Sequence, residues 1–315
     1  MTNIRNVMYL AVFIMSLMLF SGNFTDGSSR VIQALWNTGH VVFFMCFNWI
    51  LITQTRLSRC SLLKILFISI AITTFLGAVI EVIQHYTGRD MSYGDLFKDI
   101  VGGLAGFIIA LYSVPDLKNT FVKSYKYYIQ VFGVVLLGVI VWPVLKLVYD
   151  DYRMEVDFPE ISGFETPIEL SRWYIENVVE FKRSKVVTYH SEDSLYVKFG
   201  IAEYPKISLE HMITDWSEYA YLKFSVHNNQ ESMMSLQLKI IDRTHRTNNY
   251  AFNDRFNREL RLKPGWNHYT VSLSEIKNAP SSREMDMTSI IGLSFFIVEP
   301  DSQQSIYLNR IYLTN

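Results

Sequence analysis

Long apolar runs fill the first half of the chain, and short alternating ones fill the second. Five long runs stand out, at about Ile4 to Ser21, Val31 to Ile52, Leu62 to Gln84, Leu96 to Tyr112 and Tyr128 to Tyr149. A helix that crosses the hydrocarbon core needs roughly 20 mostly apolar residues, because no water is present there to pair its backbone. The runs therefore predict a bundle of about five transmembrane helices. The first run is short and follows Arg5. An uncleaved helix and a signal peptide both fit it, although Ser21-Gly22-Asn23 is a poor small-residue cleavage site.

Beyond Asp150 the period changes to two. Leu222, Phe224 and Val226 alternate with Lys223, Ser225 and His227, as a half-buried strand requires, and Leu236, Leu238 and Ile240 repeat the pattern. Further strands are predicted near Val186 to Tyr189, Ser194 to Phe199, Arg258 to Leu262, His268 to Leu273, Ile290 to Val298 and Ser305 to Leu313, with Pro264-Gly265 as a turn. Many short strands with turns between them predict an antiparallel β-sandwich of jelly-roll type. The segment from Asp150 to Pro167, acidic and proline-containing, reads as an irregular connector. The expected order is residues 1–115 as a membrane domain, 116–149 as an additional membrane helix, 150–165 as a linker and 166–315 as the sandwich.

Composition sharpens this division. Half of the 315 residues are hydrophobic, yet charged residues are few before Asp150 and ordinary after it. A formal net charge of -1 leaves no basic footprint for nucleic acid. Cys46 lies in an apolar run and Cys60 in a basic loop, so neither suggests a disulfide or a zinc site. Cytoplasmic loops are enriched in Lys and Arg. The second loop carries Arg56, Arg59 and Lys64, and the fourth carries Lys118, Lys123 and Lys126, whereas the last run exits into Asp150-Asp151. The N-terminus is expected in the cytoplasm and the sandwich outside it.

The densest chemistry lies between the third and fourth runs. Glu81 and Gln84 stand three apart on one helix face. An ionisable residue at such a depth is costly unless partnered or wetted, which makes it a functional candidate. Ser92 and Asp95 have the spacing of a helix cap, Asp95 and Asp99 suit the positive end of the helix dipole, and Gly102, Gly103 and Gly106 form a face that lets another helix approach closely. Two readings fit: Arg89 clips Glu81 to Asp95 and closes a helical hairpin, or these groups with His40 line an outward polar cavity that binds a headgroup or performs acid-base work, with Glu81, Arg89 and Asp95 as catalytic candidates and His40, Gln84 and Asp99 as ligand contacts.

At these residues the chain resembles the VanZ-like family of bacterial membrane proteins. Glu81, Gln84, Arg89, Asp95, Gly102 and Gly106 match the family pattern. Asp99 stands where the family has Asn, and Trp36 and Phe44 stand where Asp and Tyr often flank its helix-two His. The resemblance covers about the first 115 residues and implies a membrane domain in the cell envelope.

The second half resembles the jelly-roll carbohydrate-binding modules of galactose-binding-domain-like type. The pieces are Phe158-Pro159 with Phe164-Glu165, Asp215-Trp216, Leu238 to Asp242, Asn253 to Asn257, Gly265-Trp266-Asn267, Met285-Asp286-Met287 and the closing Ile306 to Ile311, in which Asn309 replaces a usual Asp. This resemblance implies aromatics that stack on sugar rings, for which Trp173, Tyr174, Trp216 and Trp266 are the candidates. Asp242, Asp254 and Arg255 are candidates for bonding hydroxyls. Such modules commonly hold a structural calcium, although no compact acidic loop singles one out; no other cofactor is evident.

Phosphate-cradling, nucleophile-elbow and metalloprotease motifs are missing from the sequence. The expected function is a multi-pass protein of the bacterial cytoplasmic membrane whose external sandwich binds a glycan or envelope component, while the membrane domain recognises or modifies a lipid-linked saccharide or peptidoglycan-related component. A membrane enzyme acting through Glu81, Arg89 and Asp95, and a purely structural or protein-interaction role, are the alternatives.

Overall fold

In the computed structural model the described residues are 6–7, 9–10, 12–14, 16, 30–86, 93–117, 120–189 and 192–315. They form two compact units, Met1–Val148 and Tyr149–Asn315. The expected run from Ile4 to Ser21 lies largely outside the described residues, as do Arg89 and Ser92.

The first unit is helical. Helices α1 (Arg30–Asn37) and α2 (Gly39–Gln54) follow one another closely, and α3 (Leu62–Tyr86), α4 (Tyr93–Ser113) and α5 (Lys126–Asp157) come after, the residues of α5 from Tyr149 on belonging to the second unit. Among the described residues four stretches are long and apolar enough to cross a membrane: Arg30–Gln54, Leu62–Tyr86, Tyr93–Ser113 and Lys126–Asp157. Glycines set the packing. A Cβ on Gly102 would collide with the Val41 carbonyl, one on Gly106 with the Met45 carbonyl, and one on Gly103 with Thr73 Oγ1 at 2.7 Å. The glycine face of α4 thus lets the α2 backbone approach closely, as its spacing predicted. Polar side chains turn inward: Asn48 donates to Thr73 Oγ1 at 2.6 Å, and both are fully buried. Leu63, Phe67, Phe75 and Val134 face outward and are exposed.

Helix α5 overruns the expected connector. Its 32 residues span about 48 Å at 1.5 Å per residue, so Asp150 to Asp157 are helical and not irregular. Two ion pairs hold this end. Arg172 grips the buried Asp150 at 2.6 and 3.0 Å, and Arg153 bridges to Asp157 at 2.9 Å, one turn away.

The second unit is a sandwich of two antiparallel sheets. One has the order β3 (Val178–Ser184), β4 (Ser194–Phe199), β11 (Gln304–Thr314), β6 (Tyr221–Asn228) and β9 (Gly265–Ser272), with β1 (Glu160–Ser162) beside the far end of β11. The other runs β2 (Trp173–Glu176), β5 (Lys206–Leu209), β10 (Ile290–Phe296), β7 (Met234–Asp242) and β8 (Phe256–Leu262). Alternate residues meet between them: Leu195, Val197, Phe224, Val226, Ile306 and Leu308 from one sheet, Ile207, Leu236, Leu238, Leu293 and Phe295 from the other. The expected strand at Val186 to Tyr189 is absent, and those residues form bends. Ser184 Oγ accepts from the Val186 N–H at 3.2 Å, a local turn that ends β3.

Candidate functional site

Strand alternation decides which side chains of the β unit leave the core. In the second sheet Ile207, Leu293, Leu238, Ile240 and Phe256 point inward, so their neighbours point outward. Register then aligns these neighbours in one row across five strands: Tyr174 opposite Ser208, Ser208 opposite Ser294, Ser294 opposite Lys239 and Lys239 opposite Asn257. At the usual strand spacing the row is about 19 Å long, enough for a short oligosaccharide. Arg255 continues the same face, two residues before Asn257, with its guanidinium over the Phe252 ring at 4.8 Å. An exposed aromatic therefore stands at each end, Tyr174 on β2 and Phe252 before β8.

The polar groups of this face are incompletely used. Ser208 Oγ donates to Ser294 Oγ at 2.8 Å, but Arg255 Nε and Asn257 Oδ1 are buried with no hydrogen-bond partner among the described residues. Buried polar atoms are nearly always paired, so two orphans side by side call for an explanation. Charge is concentrated here as well. Burial, then the nearby Arg255 and Lys206, push the Lys239 ammonium down to about 8. Burial also lowers the pKa of Arg255. Two desolvated cations, Lys239 and Arg255, the second carrying the orphan donor, beside the orphan acceptor of Asn257 make a surface suited to an anionic, hydroxyl-rich ligand.

The other aromatic and acidic candidates are placed elsewhere. Trp216 is fully buried between the sheets, with Nε1 donating to the Ile213 carbonyl at 3.0 Å, and Trp173 packs on Phe164 in the same core. Their rings have no face for a sugar. Asp242 and Asp254 are buried on Arg283, which the sequence reading missed. Its guanidinium reaches Asp242 at 2.5 and 2.8 Å and Asp254 at 2.6 and 2.9 Å, while the amides of His245 and Asp286 also donate to Asp242. Burial would raise the Asp242 pKa, but Arg283 and these amides outweigh it and hold the carboxyl below its ordinary value. Arg283 is also the main cause of the lowered Asp254 pKa. This clamp ties the loop after β7 to the loop before β10.

Trp266 belongs to the other sheet. There Tyr196, Tyr307, His227 and Trp266 are successive cross-strand partners on β4, β11, β6 and β9. Their rings touch mainly one another, with His227 edge-on to Trp266 at 5.2 Å and Tyr189 covering Trp266 at 5.4 Å.

In the helical unit, His40 from α2, Glu81 and Gln84 from α3, and Asp95 and Asp99 from α4 are all buried. Asp99 Oδ1 accepts from His40 Nδ1–H at 2.9 Å, and Lys98 pairs with Asp95. Donor atoms of His40, Glu81 and Asp95 lie within 4.8 Å of one another. The five candidates therefore gather on three helices; Arg89, the sixth, is outside the described residues.

No family model and no curated protein matches the chain. The VanZ-like resemblance consequently rests on the quoted residues alone. Among solved structures, similarity is found to the family 11 carbohydrate-binding module from Clostridium thermocellum in complex with a β-1,3-1,4-mixed-linked tetrasaccharide, at 12% identity and a TM-score of 0.39, over 50% of this chain and 94% of that one. The family 30 carbohydrate-binding module of a cellulosomal cellulase from the same organism is similar at 14% identity and a TM-score of 0.37, over 46% and 91%. An exo-β-agarase is similar at 14% identity and a TM-score of 0.41, over 49% of this chain and 24% of that one.

Proposed function

We propose that the protein is a multi-pass component of the bacterial cytoplasmic membrane whose external sandwich binds an acidic saccharide of the cell envelope across the Tyr174 to Asn257 row. One observation carries this reading: Arg255 Nε and Asn257 Oδ1 are buried and unpartnered among the described residues, beside Lys239 on the outward face of a sheet. A saccharide supplies acceptors and donors for both, a carboxylate or phosphate for the cations, and ring faces for Tyr174 and Phe252. The membrane part of the proposal rests on four apolar helices that turn Asn48, Glu81 and Asp99 inward and leave Leu63, Phe67 and Phe75 outward.

Two experiments test the reading. Titration of the detergent-solubilised full chain with acidic oligosaccharides should give saturable binding, and failure of every acidic and neutral envelope saccharide would reject the saccharide assignment. A periplasm-active reporter at the C-terminus should be active; activity of a cytoplasm-only reporter would reverse the orientation. The aligned rings around Trp266 favour a second surface for a neutral sugar, in which case Trp266→Ala and not Arg255→Ala would abolish binding.

A further inference from the structure

Three helices each deliver one donor to a single buried point: His40 at the start of α2, Glu81 in the last turns of α3 and Asp95 in the first turn of α4. The orientation of the imidazole is fixed from behind. Asp99 accepts its Nδ1–H, which leaves the lone pair on Nε2, and Nε2 is buried with no hydrogen-bond partner among the described residues. A histidine that ligates a metal almost always donates its other ring N–H to a carboxylate or carbonyl in this way. The helices also make room for the orienting group: a Cβ on Gly77 of α3 would collide with Asp99 Oδ2. Lys98 engages Asp95 through Oδ1 and so places its carboxylate at the first turn of α4.

From this arrangement we infer that His40, Glu81 and Asp95 bind a divalent transition-series cation, with Asp99 as the residue that positions His40. One imidazole nitrogen with carboxylate oxygens suits Zn²⁺, Mn²⁺ or Fe²⁺, whereas Ca²⁺ and Mg²⁺ prefer oxygen alone. Bonds of about 2.0–2.2 Å would draw the three donors from within 4.8 Å to roughly 3–3.5 Å apart, a side-chain adjustment and not a helix movement. Three protein ligands leave a coordination position for water or for an oxygen of a bound headgroup.

The test uses the tag-free full chain in detergent, stripped with chelator and titrated with Co²⁺ as a spectroscopic probe and with Zn²⁺ in competition. A single equivalent of Co²⁺ should give ligand-field absorption that Zn²⁺ abolishes. His40→Gln and Glu81→Gln should remove that absorption, and Asp99→Asn should weaken binding by roughly 10–100-fold. Each variant is compared by its near-ultraviolet circular dichroism with the parent. Absence of Co²⁺ and Zn²⁺ binding by the folded parent, or unchanged absorption in folded His40→Gln, overturns the proposal.

Discussion

Lys239 and Asn257 are direct cross-strand partners on β7 and β8, and both leave the core on the side where Arg255 lies. That relationship puts a desolvated ammonium next to an amide oxygen and a guanidinium nitrogen that have no partner among the described residues, and the proposed saccharide surface is built on it.

The ammonium gives the site a pH signature. Lys239, pushed down to about 8 chiefly by burial, is charged below that pH and neutral above it. Affinity for an acidic oligosaccharide should therefore fall as pH rises through about 8, or somewhat higher once the bound anion stabilises the charge. Titration calorimetry from pH 6.5 to about 9.5 measures the step. Lys239→Arg should bind without it, and a flat profile in the parent would remove Lys239 from the site.

Arg283 should be a stability residue and not a binding one. Its removal leaves Asp242 and Asp254 as buried, uncompensated carboxylates, at a cost of about 3–5 kcal/mol. At roughly 2–4 °C per kcal/mol for a domain of this size, Arg283→Ala should lower Tm by about 6–20 °C. Arg283→Lys should recover only part of this, because an ammonium cannot make both bidentate contacts. Thermal melts of the β unit's signal decide it; an Arg283→Ala melt superimposed on the parent's would contradict the clamp.

Acid should weaken the same unit in two stages. Burial lowers the pKa of His227, and for His245 burial outweighs the Asp254 contacts and lowers it too. Both are held neutral in the fold, so the unfolded chain takes up their protons first and stability declines as pH falls below the ordinary histidine value of about 6.5. The depressed carboxyls of Asp242 and Asp254 contribute stability that is complete above about 4 and lost as pH falls further. Urea midpoints at intervals from pH 7 to 3 report both stages, and a midpoint constant between pH 7 and 5 would refute the first.

Two glycines of the helical unit should respond oppositely to alanine. At Gly106 a methyl meets the Met45 carbonyl and Asn48, and overpacking of this kind costs about 1–3 kcal/mol. At Gly138 nothing among the described residues lies within 4 Å of an added Cβ, and alanine should be neutral or stabilising by roughly 0.5–1 kcal/mol through helix propensity. Thermal aggregation in detergent compares them; equal tolerance would mean that α2 and α4 do not pack through this face.

The features legible in the sequence are those that depend on local period. Apolar runs located four helices, the glycine spacing anticipated the approach of α2 to α4, and Ser194 to Phe199 appears as β4 with the expected limits because its alternation is uninterrupted. What depends on distant residues was not legible. Trp173 and Trp216 look like sugar platforms until the sheets close over them. Asp242 and Asp254 look like hydroxyl ligands until Arg283, 41 and 29 residues on, reaches back to them. Lys239 and Asn257 lie in segments that carry the carbohydrate-module resemblance, but nothing marks them as neighbours before strand register pairs them. The short strands β1, β2 and β5 contain too few residues to display a period of two.

Saccharide recognition at the Tyr174 to Asn257 row is tested most directly by calorimetric titration of the full chain in detergent with acidic oligosaccharides, oligogalacturonate and phosphorylated wall-glycan fragments, against neutral cello- and agaro-oligosaccharides. Arg255→Ala and Asn257→Ala should each weaken acidic binding by roughly tenfold or more, as loss of a buried hydrogen-bond partner does, while Trp266→Ala leaves it unchanged. Saccharide binding that survives both substitutions, or that is missing from the folded parent altogether, would contradict the account.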